Sequence, residues 1–138
     1  MLLNPEYGGD GKNTGRCTEF TPPAAAFPAH WAPVDLVFHS GKQFPAKYKD
    51  GVFIAFHGSW NRTPEAQAGY NVTFQAFSKD KPAGDFEVFA SGFTGKDKLM
   101  NPNDAAARPD GVAEAPDGSL LIGDSQKGKL WRVMYRGQ

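Results

Sequence analysis

The chain has 138 residues, and its 15 basic and 15 acidic side chains cancel. Neither sign forms a long block, so we expect no nucleic acid partner and no binding to an anionic membrane. The length suits one domain with a single core. Sixteen Gly, 11 Pro and 11 Phe are typical of aromatic strands separated by many turns, so the composition predicts an all-β fold.

Residues 1–30 are rich in turn residues and carry almost no hydrophobic periodicity, so we expect an irregular N-terminal arm. The segment MLLNPEYGGDGKN has no basic region followed by an apolar run, and no apolar stretch reaches the roughly 18 residues of a membrane span. We therefore expect a soluble chain without a signal peptide. Cys17 is the single cysteine, so no internal disulfide can form.

Residues 31–92 contain four segments rich in Val, Ile, Phe and Tyr, each bounded by turn residues. They are APVDLVFHS, DGVFIAFHG, GYNVTFQAFS and DFEVFASG. Successive short strands of this kind predict a four-stranded antiparallel meander. We call this meander the first predicted blade, because a four-stranded meander is the repeating unit, or blade, of a β-propeller.

A second, incomplete meander follows at residues 108–136, after a polar connection at 95–107. Its segments are RPDGVAEAPDG, SLLIGDSQ and GKLWRVMYRG, and Val52 aligns with Leu120 at an offset of 68 residues. Repeated meanders are the units of a β-propeller, so residues 31–138 are predicted to form about two blades of one. Two blades leave apolar faces open. Either the arm covers one face, or copies assemble, or the chain is a piece of something longer.

Turns of a meander alternate between its two ends, so turns two apart share an end. One end is predicted to collect His30–Trp31, His57–Arg62, Arg108–Asp110 and Asp124–Lys127. The other end receives HSGKQFPAKYKD, SKDKPAGD and APDGS, which have the composition of ordinary solvated turns. The first end is therefore the predicted functional one.

The candidate ligand contacts at this end are His57, Trp60, Asn61, Arg62 and Arg108. The two arginines are suited to bidentate bonds with a carboxylate, and Trp60 or Trp31 offers a stacking surface. Purely structural roles are the alternative for some of these residues. His57 has a second interpretation as a loop residue that bonds a backbone carbonyl, and Trp60 and Trp131 have one as core aromatics.

Nucleophilic and metal chemistry find little support in the motifs. Ser59 lacks the G-x-S-x-G context, and no carboxylate stands in triad spacing with it. Asp124 is interpreted as a turn residue that bonds backbone amides. The three histidines lack close spacing, and His39 is expected at the opposite end from His30 and His57, so no metal site is predicted.

The ordered motifs GxFIAxHGSWNR, RPxGVA, PDGSLL and GxLWRV together resemble the carboxy-terminal portion of the glucose/sorbosone dehydrogenase family. The resemblance runs from about Thr21 to Tyr135. Members of this family are soluble quinoproteins built as β-propellers. The resemblance implies oxidation of a sugar aldehyde or alcohol by pyrroloquinoline quinone (PQQ), held with calcium, and members are often periplasmic or secreted.

Within that resemblance, Arg108 matches an arginine near the quinone's carboxylates, whereas Asp110 stands where a second arginine is common. His57 matches a position in a polar loop at the same end of the propeller. The family's general-base histidine and calcium-binding loop belong to earlier blades, and residues 1–30 offer no substitute. The chain alone is therefore expected to lack both.

Two functional hypotheses follow. In the first, the chain is a fragment of a PQQ-dependent sugar dehydrogenase that regains a ring by self-association, most simply as a trimer, or with a partner chain. In the second, it is a non-catalytic module that binds a sugar or a partner protein. An inert remnant, whose polar end is no longer used, is the third possibility. The sugar, the electron acceptor and the compartment are left open.

Overall fold

The computed structural model describes residues 2–137 and shows an all-β chain with two antiparallel sheets. No helix within those residues is long and apolar enough to cross a membrane. Short 3-10 turns occur at Pro5–Tyr7, Gly15–Glu19, Ala46–Tyr48 and Pro102–Asp104. The strands are β1 (Pro33–His39), β2 (Gly51–Phe56), β3 (Asn71–Ser78), β4 (Lys81–Pro82), β5 (Glu87–Ala90), β6 (Pro109–Glu114), β7 (Leu120–Asp124) and β8 (Leu130–Val133).

The first sheet is the predicted four-stranded meander. β2 pairs with β1 and β3, and β5 pairs with the other edge of β3. The two-residue β4 extends only the hairpin after β3. Each of the four main strands falls inside one of the segments expected from the sequence, because β-branched and aromatic residues bounded by turn residues mark strands. The prediction of a partial propeller-type fold is confirmed.

The second sheet has three strands in the order β6, β7, β8, and it lies beside the first. β6, the first strand of the second blade, contacts β1 and β2 of the first, so the two blades pack side by side. This arrangement is the predicted incomplete blade. It places the loops after β2 and β7 at the same end of the molecule.

The main core lies between the two blades. Since alternate side chains of β2 point to opposite faces of its sheet, one set of them enters this core. Phe53 and Ala55 point into the main core with Leu120 and Ile122 of β7. Phe53 is fully buried in a group of aromatic rings, with Phe89 4.6 Å away between ring centroids. One apolar cluster therefore joins both sheets.

The end of the arm and the residue that follows it cover part of the opposite face of β2. Phe27 and Trp31 pack over Phe56, with ring centroids 5.0 and 5.4 Å from its ring. Val52 and Ile54 belong to the same cluster. Phe27 of the arm thus helps to cover this face, together with Trp31 and Phe77, whereas assembly of copies stays a prediction. A row on β1 stays exposed beside this cover, formed by Val34, Leu36 and Phe38.

At the other end of the blades, a charged group ties the loop after β1 to β6. Glu114 accepts hydrogen bonds from the backbone N–H groups of Ser40 (2.8 Å) and Gly41 (3.2 Å). Its carboxylate also lies 2.6 Å from Nδ1 of the buried His39. His39 lies at the end opposite to His57, as the alternation of turns predicted.

Candidate functional site

The loop after β2, which contains the segment HGSWNR, is built around a buried hydroxyl. Ser59 Oγ donates to Gln67 Oε1 at 2.7 Å and accepts from the Ala68 N–H at 2.8 Å. The Tyr70 hydroxyl donates to the Ser59 carbonyl. Ser59 is only 1% exposed. It is a structural residue that fixes the loop, which agrees with the sequence interpretation that it is not a nucleophile.

Gly58 allows the chain to pass directly against Tyr70. Its φ is +87°, a conformation that favours glycine, and a Cβ built at this position would overlap the Tyr70 ring. The close approach lets the Gly58 N–H donate to the Trp31 carbonyl at 3.0 Å. The glycine in the motif is therefore required by packing.

Gly58→Ala is expected to cost about 1–3 kcal/mol more free energy of unfolding than Gly92→Ala, because the added methyl must displace a packed ring. Gly92 has a similar φ of +86°, but a Cβ there would meet no heavy atom within 4 Å. Both variants carry the same left-handed backbone, so urea denaturation of the pair isolates the contact with Tyr70. Equal midpoints for the two variants would contradict this account.

Three side chains from both blades meet at this end, and we call His57, Arg108 and Ser125 the cross-blade cluster. His57 Nε2 lies 2.9 Å from Ser125 Oγ. The Arg108 guanidinium donates from Nε to the His57 carbonyl (3.1 Å) and from Nη2 to the Gly58 carbonyl (3.0 Å). It also lies over the Tyr70 ring, 5.3 Å from the centroid. The cluster forms a polar site bridging the two sheets.

Asp124 holds the turn that presents Ser125. Its carboxylate accepts from the backbone N–H groups of Arg108 (2.7 Å), Gln126 (2.9 Å) and Lys127 (2.9 Å). A carboxylate with three such bonds shapes a turn and leaves little capacity for a ligand. The sequence interpretation of Asp124 as a turn residue is confirmed.

The electrostatics of the cluster favour a neutral imidazole. Burial lowers the pKa of His57 from its ordinary value of 6.5, and the positive charge of Arg108 lowers it further, against the opposing carboxylates of Asp110 and Asp124. The unfolded chain therefore binds the His57 proton at a higher pH than the folded chain does. Between the two pKa values folding releases a proton, and stability rises with pH.

The expected result is a loss of stability as the pH falls below about 6.5, with a smaller loss in His57→Gln. Urea denaturation of both proteins at about pH 7.5 and about pH 5.5 measures the difference, and subtracting the variant removes the contributions of other titrating groups. A His57→Gln protein with the same pH dependence as the original would refute the assignment.

The other three predicted contacts do not join the cross-blade cluster. Arg62 donates to the Ala66 carbonyl (2.9 Å) and to Glu65 (2.8 Å), both in its own loop. Asn61 is exposed. Trp60 is 74% exposed, so its interpretation as a core aromatic is wrong, whereas Trp131 packs against the core. Whether these residues contact a ligand stays a prediction.

Ser125 was missed as a candidate, although the repeat contained the signal. His57 and Ser125 are 68 residues apart, which is the offset between the two predicted meanders. They therefore occupy equivalent positions after the second strands of neighbouring blades. The His57 ring was alternatively expected to bond a backbone carbonyl of its own loop. Its Nε2 contacts Ser125 Oγ instead.

Within residues 2–137 no three His, Cys, Asp or Glu side chains are grouped so that they could hold a metal ion. The buried His39 has one carboxylate neighbour, Glu114.

Solved structures share this fold. Two structures of carbohydrate-active enzyme family AA12 from Trichoderma reesei, an iodide and a calcium structure, each align with a TM-score of 0.61 and 23% identity, covering 88% of this chain and 29% of theirs. A glucose dehydrogenase structure aligns with a TM-score of 0.52, covering 91% of this chain and 30% of its own. At this level of identity the likeness shows the fold alone.

A sequence relative extends over nearly the whole chain. An uncharacterized protein of Borreliella burgdorferi is 35% identical over 136 residues, which is 94% of this chain and 34% of the relative. The chain thus spans about a third of the length of these relatives.

A family model shows where the chain belongs. The family described as TrAA12-like matches residues 5–136, so the match includes most of the arm that the earlier resemblance left out. The expected membership of the glucose/sorbosone dehydrogenase family is therefore wrong. The motifs that suggested it lie in short strands and their turns, and motifs of that kind do not separate one family of β proteins from another. The chain belongs to the TrAA12-like family.

Proposed function

We propose that this chain contributes two blades to a PQQ-type sugar oxidoreductase, and that the cross-blade cluster contacts the quinone. The observation that carries the proposal is the meeting of His57, Arg108 and Ser125 from two blades at one end of a TrAA12-like chain. The proposal draws further support from structural neighbours described as carbohydrate-active enzymes and a glucose dehydrogenase.

The residues of the cluster fit part of an anionic quinone. Arg108 uses Nε and one N–H of Nη2 for backbone carbonyls, and a guanidinium has five donors, so its Nη1 group can serve a carboxylate. The Ser125 hydroxyl, which is exposed, can both donate and accept. The negative charge of Asp110 opposes anion binding. Arg108 would therefore hold the quinone's carboxylate without the help of a second arginine. Calcium has no part in this proposal.

When bound, PQQ would supply an acceptor for a hydride, that is, for two electrons and one proton. The chain's own part is to bind and orient. Arg108 holds the negative charge and fixes the loop through the carbonyls of His57 and Gly58. Because its pKa is lowered, His57 is neutral near pH 7 and adds no positive charge to the site. Its contact with Ser125 positions the hydroxyl.

A closed ring would require further blades, and we propose that copies of this chain supply them. Three copies of two blades would give about six, within the usual range for a propeller. Support comes from the apolar row on β1, where Val34, Leu36 and Phe38 are 48%, 55% and 58% exposed. A partner chain that carries the remaining blades is the alternative occupant of the same row.

Light scattering across a concentration series and a titration with PQQ test the proposal together. We expect a particle of about three times the chain mass, saturable quenching of tryptophan fluorescence by PQQ, and reduction of a dye when an aldose is added. Ser125→Ala should weaken PQQ binding, whereas Ser91→Ala, an exposed serine outside the cluster, should not. A monomer that neither binds PQQ nor reduces the dye would overturn the proposal.

A non-catalytic sugar-binding or assembly module is the second candidate. It is favoured by the use of Arg108 in tying the blades together through the carbonyls of His57 and Gly58. Sugar binding or ring assembly without dye reduction, at saturating PQQ, would select this candidate over the first.

A further inference from the structure

A second groove opens at the same end as the cross-blade cluster, between the arm and the loop that follows Trp60. It has a volume of about 430 Å³, within the range of small-ligand sites. One wall is formed by residues 28–31 and the other by residues 61–65. None of the three cluster residues lines it. The groove is therefore a separate feature of the molecule.

Each wall has one side chain that contacts within the chain hold in place. Trp31 packs edge-on against Phe56 and Phe86, with centroids 5.4 and 5.8 Å away. His30 has a φ of +67°, a strained conformation for a residue with a side chain, and such strain tends to occur at functional sites. On the other wall, Arg62 is anchored to the Ala66 carbonyl at 2.9 Å. Side chains held in this way lose little conformational entropy when a ligand binds.

The charges in the groove largely cancel. Arg62 Nη2 lies 2.8 Å from Glu65 Oε2, so the positive charge of the arginine is already paired with a carboxylate. An anionic ligand would have to compete with Glu65 for Arg62. Asn61, Thr63 and the Arg62–Glu65 pair together offer both donors and acceptors, a mixture suited to hydroxyl groups, which donate and accept at once. Trp31 adds a half-buried aromatic surface for the C–H groups of a sugar ring.

We propose that the groove between residues 28–31 and 61–65 binds a neutral saccharide. The site differs from the cross-blade cluster in its residues and in the charge of its ligand. It reassigns Asn61 and Arg62 from the quinone to a polyhydroxylated ligand, and it gives the arm a role beyond covering β2. The inference does not depend on quinone binding.

The test is a titration of the original chain, without PQQ, with cellotetraose as a neutral probe and glucuronate as an anionic one. Binding is measured by calorimetry and by the NMR shifts of the tryptophan indole N–H groups, each assigned with a Trp→Phe variant. We expect cellotetraose to bind and to shift the Trp31 signal, with little effect on Trp131. Asn61→Ala should weaken binding by about 3- to 10-fold. Asn103→Ala, an exposed asparagine outside the groove, should leave it unchanged.

Three outcomes would overturn the inference. These are no binding of cellotetraose, binding that shifts only Trp60 or Trp131, and tighter binding of glucuronate than of cellotetraose. A loss of affinity in Asn61→Ala counts for the inference only if its urea midpoint matches that of Asn103→Ala. Since PQQ is absent throughout, none of these results decides whether the cross-blade cluster binds the quinone.

Discussion

Phe53→Ala is expected to lower the free energy of unfolding by about 3–5 kcal/mol, enough to leave much of a marginally stable chain unfolded. Phe53 is fully buried in β2, and its ring lies 5.0 Å from Phe74 and 4.6 Å from Phe89, centroid to centroid. It also belongs to the cluster that includes Leu120 and Ile122 of the second blade. Truncation leaves a cavity at the junction of both sheets, so both are expected to lose stability together.

Urea denaturation followed by tryptophan fluorescence and by far-ultraviolet circular dichroism measures this effect. Trp131 reports the second blade, since it lies in β8, where it packs against Phe93 with ring centroids 5.3 Å apart. Phe20→Ala is the matched control because Phe20 is 64% exposed, and its cost should stay below about 0.5 kcal/mol. If Phe53→Ala unfolded the first sheet while the Trp131 signal kept its original midpoint, the single shared core would be disproved.

The strands could be predicted from the sequence because each has a local signal. The run GVFIAF is apolar and bounded by turn residues, and it becomes the fully buried β2. The sharing of one end by His57, Arg108 and Asp124 was also predictable, since it follows from the alternation of turns. These inferences require only the order of strands and no knowledge of side-chain contacts.

The composition of the site was less predictable because it depends on which partner each side chain finds. Arg62 and Arg108 look alike in sequence, yet one bonds within its own loop and the other bridges the blades. Trp60 has the residue type of a core aromatic, but it follows the buried Ser59 in a loop whose outward positions face solvent. The contact of His57 with Ser125 spans 68 residues and required the repeat offset to be applied to polar positions.

The two ends of the blade interface use polar groups in opposite ways. At one end the cation Arg108 binds carbonyls of the neighbouring blade, and at the other the anion Glu114 binds backbone N–H groups. Each charge binds two backbone groups where the sheets meet, and a charge-assisted bond is stronger than a neutral one. The relative position of the blades, and with it the geometry of the cross-blade cluster, therefore depends on both residues.

Arg108→Ala is expected to lower the free energy of unfolding by about 2–4 kcal/mol and to abolish PQQ binding. The variant loses two charge-assisted hydrogen bonds, to the carbonyls of His57 and Gly58, and leaves both acceptors at a half-buried junction. It also loses the packing of the guanidinium on Tyr70. Because Arg108 lies in the second blade and its acceptors in the first, the change loosens the blade interface as well as the site.

Two further variants separate charge from geometry. Arg108→Lys keeps the positive charge but cannot reproduce the fork, so it should recover part of the PQQ affinity and less of the stability. Arg62→Ala removes an arginine bonded only within its own loop, and should cost about 1 kcal/mol while PQQ binding persists. Urea midpoints and quinone titrations of the three proteins decide the matter. If Arg62→Ala proved as damaging as Arg108→Ala in both measurements, Arg108 would have no special place at the junction of the blades.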